Sequence, residues 1–201
     1  MVGPSVEPGP EENTFWVTNP TSGAKLFTRV TTPPDFDPHK RYPALVLVPG
    51  GAQSGEAAFH QRPLDQALAA GGFVILLFDP DGRGRSEGQE DDDGFVHQDG
   101  LKAVVNFAAT LPYVDNDQIG LVSYSFGVTM ASGVLARYPD IPIAFYIDWE
   151  GPADRNDTGG CDADHTGHLQ GKARCGDEAF WRQREAATFI KEIHRLAFFR
   201  L

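Results

Sequence analysis

The 201 residues are 41% hydrophobic and 22% charged, which suits one domain with a sizeable core and excludes a disordered chain. The formal charge of −11 argues against direct binding to nucleic acid or to an anionic membrane, both of which repel an acidic surface, and favours a neutral or cationic small substrate. No run reaches the roughly eighteen apolar residues that cross a bilayer, and residues 1–13 lack a signal-peptide pattern, so a soluble protein is expected, cytoplasmic or secreted.

Residues 1–13 hold three prolines, two glycines and three glutamates, and predict an irregular lead-in to a folded domain over 14–201. The β-rich runs 15–18 and 25–31 flank Asn19-Pro20-Thr21-Ser22-Gly23, which is turn chemistry, and predict an antiparallel edge hairpin. Runs 42–48 and 72–78 are continuously apolar and end near glycines, as strands covered on both faces of a parallel sheet do. Helical spacing falls between them, over about 57–70. A third strand over 118–123 lies between helical stretches 99–111 and 128–138, and a fourth covers 143–148. Alternation of this kind predicts an α/β fold, a doubly wound and mostly parallel sheet with the N-terminal hairpin at its edge, whose ligands sit at the carboxyl ends of the strands. Residues 151–176 form a polar, glycine-rich connection too long to be ordinary; 177–193 predict a helix and 196–201 the opening of another strand.

The sharpest local signal is Ser123-Tyr124-Ser125-Phe126-Gly127, set between a predicted strand and a predicted helix. A nucleophile elbow needs a serine at a strained strand-to-helix turn with small flanking residues; Gly127 supplies one, and Ser123 replaces the usual first glycine. The plainer reading is that Ser123 and Ser125 cap the helix. As nucleophile, Ser125 needs donors for a negative oxygen. The backbone N–H of Phe126 is one candidate, and Gly51 or Ala52, in the glycine loop after the first parallel strand, is the other. Those glycines do not form the G-x-G-x-x-G of a dinucleotide site.

Elsewhere the bland readings lead. The run Glu90-Asp91-Asp92-Asp93 is expected to be a solvated loop, and His39, His60 and His97 to be surface or loop histidines. Trp149 and Glu150, at the end of the fourth parallel strand, border the pocket or serve only packing and ion pairing. Residues 154–159 open like a calcium loop, but His165 stands where the bidentate glutamate belongs. Cys161 and Cys175 suit a local disulfide or free thiols; zinc binding with His165 and His168 has no familiar spacing. No metal and no cofactor is assigned.

Three motifs in order, Val48-Pro49-Gly50-Gly51, the D-x-R-G-x-G-x-S-like turn over 78–88 and the Ser125 turn, resemble the α/β-hydrolase superfamily over most of the chain. Small esterases related to dienelactone hydrolases and to prolyl-oligopeptidase-type catalytic domains are the nearest in pattern. The resemblance implies a serine hydrolase that cleaves small-molecule carboxylic esters through an acyl-enzyme on Ser125, with 82–88 structural. Peptidases and thioesterases use the same parts, and a non-catalytic hydrolase-fold binding module is the rival from another class. The family order of serine, acid, histidine puts the acid and base beyond Leu201, so the sequence reads as lacking the fold's C-terminal strand and helix, and negligible turnover is expected. An internal triad would draw on Asp148 or Glu150 with His165, His168 or His194.

Overall fold

The computed structural model describes residues 3–161 and 169–194 and the backbone of 197–200. Eight strands form one sheet in the order β1-β2-β3-β5-β4-β6-β7-β8. They are β1 (Val6–Pro8), β2 (Thr14–Thr18), β3 (Lys25–Thr31), β4 (Tyr42–Val48), β5 (Val74–Phe78), β6 (Val114–Tyr124), β7 (Phe145–Trp149) and β8 (Ala197–Arg200). β1, β2, β3 and β5 pair antiparallel, whereas β5, β4, β6, β7 and β8 run parallel.

The two most apolar runs became the central strands. Every residue of β5 is buried, as are Ala44 through Val48 in β4. Such strands must be covered on both faces, and they are. One face carries a π-helical turn, Glu56–His60, and α1 (Leu64–Ala70), packed on Leu45, Leu47, Ile75 and Leu77. The other carries α2 (Phe95–Thr110) and α3 (Gly127–Arg137), whose Leu101, Val104, Met130 and Val134 close over Val46, Leu76 and Leu121. The strand order reverses at β4, with β5 on one side and β6 on the other, so the crevice at the carboxyl ends of β4 and β6 is where such a sheet binds ligands.

Four expectations need correction. The lead-in is not irregular throughout, because β1 pairs with β2 from Val6↔Val17 to Pro8↔Phe15; an edge position tolerates a proline that cannot donate to the ladder. The helix predicted over 177–193 is broken into α4 (Glu178–Trp181) and α5 (Ala186–Ile190). Between them the buried Arg184 turns inward and donates to the Asp91 carbonyl (2.7 Å) and carboxylate (2.7 Å), and a chain turned inward for that contact does not continue as one solvent-backed helix.

The acidic run is not a solvated loop either. Asp93 is fully buried and Asp92 nearly so. Arg83 Nη2 donates to Glu90 Oε1 and Asp93 Oδ1, each at 2.7 Å, while its Nε bonds Glu90 Oε2 at 2.8 Å. His97, expected at the surface, is fully buried beneath the run. Its Nε2 donates to the Asp81 carbonyl (2.9 Å) and its Nδ1 accepts the Asp93 N–H (3.1 Å).

Candidate active site

Tyr124 ends β6 and Gly127 begins α3, so Ser125 and Phe126 make the whole turn. Ser125 has φ +50°, a left-handed conformation that costs a non-glycine residue roughly 1–2 kcal/mol. Its position is over-determined. Its N–H donates to the Trp149 carbonyl (2.9 Å), extending the β6–β7 ladder, and its carbonyl accepts the Val128 N–H (3.1 Å) of the first helical turn. The residue is exposed, and its hydroxyl has no hydrogen-bond partner among the described residues. A serine acting only as a helix cap would point its hydroxyl at a backbone N–H of that helix, and none is so engaged.

The glycine loop packs directly on this turn. A Cβ on Gly50 would lie 2.4 Å from the Tyr124 carbonyl oxygen and 2.8 Å from the Ser125 Cβ, so only glycine lets the two backbones approach. Gly127 is equally constrained, with its Cβ position 2.6 Å from the Pro49 carbonyl oxygen. Gly51 follows at φ +55°, half-buried, and Ala52 is exposed. Neither N–H is bonded among the described residues. The Phe126 ring is buried against Leu169 and Trp181, which fixes the turn from the side of the long connection.

Ser123 is not merely small. Its buried hydroxyl receives the Tyr146 OH (2.7 Å) and donates to Asp148 Oδ1 (3.2 Å), a network beneath the elbow that sequence reasoning missed. Asp148 is therefore sunk under α3 rather than facing the crevice. Tyr146 and Asp148 alternate on β7 toward the face covered by α2 and α3, a two-residue period that could have paired them with Ser123. Trp149, on the other face, is 46% exposed and stacks on Tyr124 with centroids 6.0 Å apart and an interplanar angle of 17°. Glu150 follows, exposed, at φ +56°.

No described histidine serves Ser125. His60 bonds Asp65 (2.8 Å), which also accepts from Thr31 opposite Ile75 at the amino end of β5, away from Ser125, and His97 is enclosed. His39 precedes β4 and His194 precedes β8, which puts both at the amino ends of parallel strands, across the sheet from Ser125. An internal base at His194 is thereby excluded; His165 and His168 lie outside the described residues.

Arg83 also disposes of a metal reading. Glu90, Asp93 and His97 offer ligand atoms within 4.8 Å of one another, yet the guanidinium already bridges both carboxylates and the imidazole nitrogens bond the backbone. The calcium-like opening is likewise consumed locally, since Asp154 Oδ1 accepts the Asn156 N–H (2.8 Å) and Asp157 Oδ2 the Ala153 N–H (2.9 Å). Cys161 and Cys175 form a disulfide, which removes both thiolates from any zinc site. It brackets Trp181: Gly160 abuts the indole, and the Arg174 carbonyl accepts its Nε1–H at 2.9 Å.

Two expectations follow. Ser125→Gly should raise the denaturant midpoint with unchanged m-value, by about 0.5–1 kcal/mol, because the left-handed strain is relieved. Reducing the disulfide should cost about 3 kcal/mol and shift the buried Trp181 emission to the red.

The turn, the glycine loop behind it and the reversal of strand order define an α/β-hydrolase fold. A family model for that fold matches residues 43–142. The structure superposes on acetyl xylan esterase 1 from Thermoanaerobacterium with a TM-score of 0.68 and 15% identity, covering 98% of this chain and 72% of that one. In sequence the chain is 32% identical to the uncharacterised Escherichia coli protein YcjY over 122 residues, 59% of this chain and 37% of that protein. It is also 32% identical to dipeptidyl-peptidase 5 of Porphyromonas gingivalis over 114 residues, 53% of this chain and 16% of that one. The chain belongs to the α/β-hydrolase superfamily. It spans well under half the length of both curated relatives.

Proposed function

We propose that Ser125 is the nucleophile of a serine esterase. The observation that carries this reading is the left-handed φ of an exposed serine between β6 and α3, pressed against Gly50. Strain of this kind persists only where the surroundings enforce it, and an elbow is a place where it has a use. Ser125 Oγ attacks the ester carbonyl carbon while a base takes its proton. The tetrahedral oxygen is held by the N–H groups of Phe126 and of Gly51 or Ala52. Collapse expels the alkoxide, which leaves with the proton, and water then hydrolyses the acyl-serine. Among the described histidines, His39, His60, His97 and His194 are committed or lie across the sheet, so we expect slow turnover by the 201 residues unless a base is supplied by imidazole or by His165 or His168.

The test is p-nitrophenyl acetate hydrolysis with and without added imidazole as a surrogate base. The reading predicts a rate above that of imidazole alone, returning to it in Ser125→Ala; equal rates for the two proteins would overturn it. Parallel assays on amino-acyl p-nitroanilides address a second reading, a peptidase, which the similarity to dipeptidyl-peptidase 5 favours. Ser125-dependent anilide cleavage exceeding ester cleavage would select it.

A further inference from the structure

We propose that Trp149 and Glu150 form a subsite for a cationic group on the substrate, a quaternary or protonated amine. The inference rests on Ser125 being the nucleophile, because the hydrogen bond from the Ser125 N–H to the Trp149 carbonyl is what puts this pair beside the reacting atoms.

Trp149 is the one large hydrophobic side chain left exposed among the described residues. It is not loose: Tyr124 stacks on one face, and Phe59 backs Tyr124 with centroids 5.1 Å apart, so three rings form a fixed ladder at the carboxyl edge of the sheet. The rings of Phe27, Phe95, Tyr138, Phe180 and Trp181 each hold an arginine or lysine of the protein itself over a face. Among the described residues Trp149 has none, although an indole is the best cation-binding ring of all.

The next residue supplies the charge. Glu150 is exposed and has no hydrogen bond or ion pair among the described residues, and its backbone sits at φ +56°, where glycine would be the unstrained choice. A side chain retained against strain at the rim of a crevice points to use by a ligand. An exposed indole followed in the chain by an exposed carboxylate with no partner among the described residues repels anions, gives a neutral group no use for the acid, and suits a cation, which ring and charge both attract. The net charge of −11 draws the same ligands.

Choline and its neutral carbon isostere, 3,3-dimethylbutan-1-ol, separate these alternatives. Binding is followed by the Trp149 indole N–H resonance, assigned by its loss in Trp149→Phe. Choline should shift this signal saturably in the millimolar range, with the alcohol and the Glu150→Gln variant each binding about fivefold or more weakly. Ser125→Ala should bind choline as well as the wild type does, so that the subsite and the nucleophile fail separately. The proposal is overturned by equal shifts with the alcohol, by undiminished choline binding in Glu150→Gln, or by no saturable shift up to about 100 mM in a protein whose spectrum is otherwise folded. If Ser125-dependent hydrolysis persists in any of those cases, the subsite alone falls.

Discussion

Arg83→Met should lower stability by about 3–5 kcal/mol, the loss expected when one partner is removed from a buried ion pair. Arg83 is 3% exposed and, among the described residues, is the one arginine or lysine bonding the fully buried Asp93, besides pairing both oxygens of Glu90. Methionine fills most of the volume but leaves the buried Asp93 without its guanidinium, beside the Glu90 carboxylate and the His97 ring. Asp93→Asn in the same protein should recover part of the loss, because the orphaned charge is then gone. The pH dependence provides a second check. Partial burial pushes the Glu90 carboxyl up, but the hydrogen bonds and charge of Arg83 outweigh this and bring it to about 2 from an ordinary 4.5. A depressed carboxylate stabilises the fold above its unfolded value and ceases to do so as pH falls toward its folded one. The Glu90 contribution should thus be complete above about pH 4.5 and disappear toward pH 2, and Arg83→Met should flatten that slope in denaturation measured across the range.

Gly127→Val should cost about 2–3 kcal/mol and abolish acylation of Ser125 as well. Any Cβ here meets the Pro49 carbonyl oxygen at 2.6 Å and the Val48 carbonyl oxygen at 3.0 Å, and both are backbone atoms of the strand end that launches the glycine loop. Relief requires α3 to lift from β4, which carries Phe126 and Gly51 apart. An outward surface substitution such as Gln118→Ala at the exposed start of β6 gives the contrast, with stability and acylation both close to wild type. Urea denaturation and the rate of p-nitrophenyl acetate acylation read the two effects separately.

The central sheet was legible because β4 and β5 must be covered on both faces, and continuous apolar runs bounded by glycines have few other solutions. The hairpin was legible from its turn residues. The acidic run misled because its countercharges lie outside it: Arg83 folds back from 7 to 10 positions upstream and Arg184 reaches Asp91 across 93, whereas a one-dimensional reading sees four like charges and infers water. The same contact broke the predicted helix over 177–193. β1 was hidden because an edge strand held by backbone bonds needs little apolar content. At the candidate site, residue types and order announced the serine turn and the glycine loop. The left-handed backbone of Ser125 and Glu150 has no sequence signature in non-glycine residues, and the Ser123–Tyr146–Asp148 network depends on register across β6 and β7.

As the nucleophile, Ser125 should be singled out among the serines of the chain. Treating the protein with a fluorophosphonate in the presence of imidazole, and mapping the adduct by mass spectrometry, addresses this without a favoured substrate. The adduct should fall on Ser125 and vanish in Ser125→Ala; adduct formation without imidazole would assign the base to His165 or His168. Adducts spread evenly over other serines, with none enriched at Ser125 in a folded protein, would contradict the account.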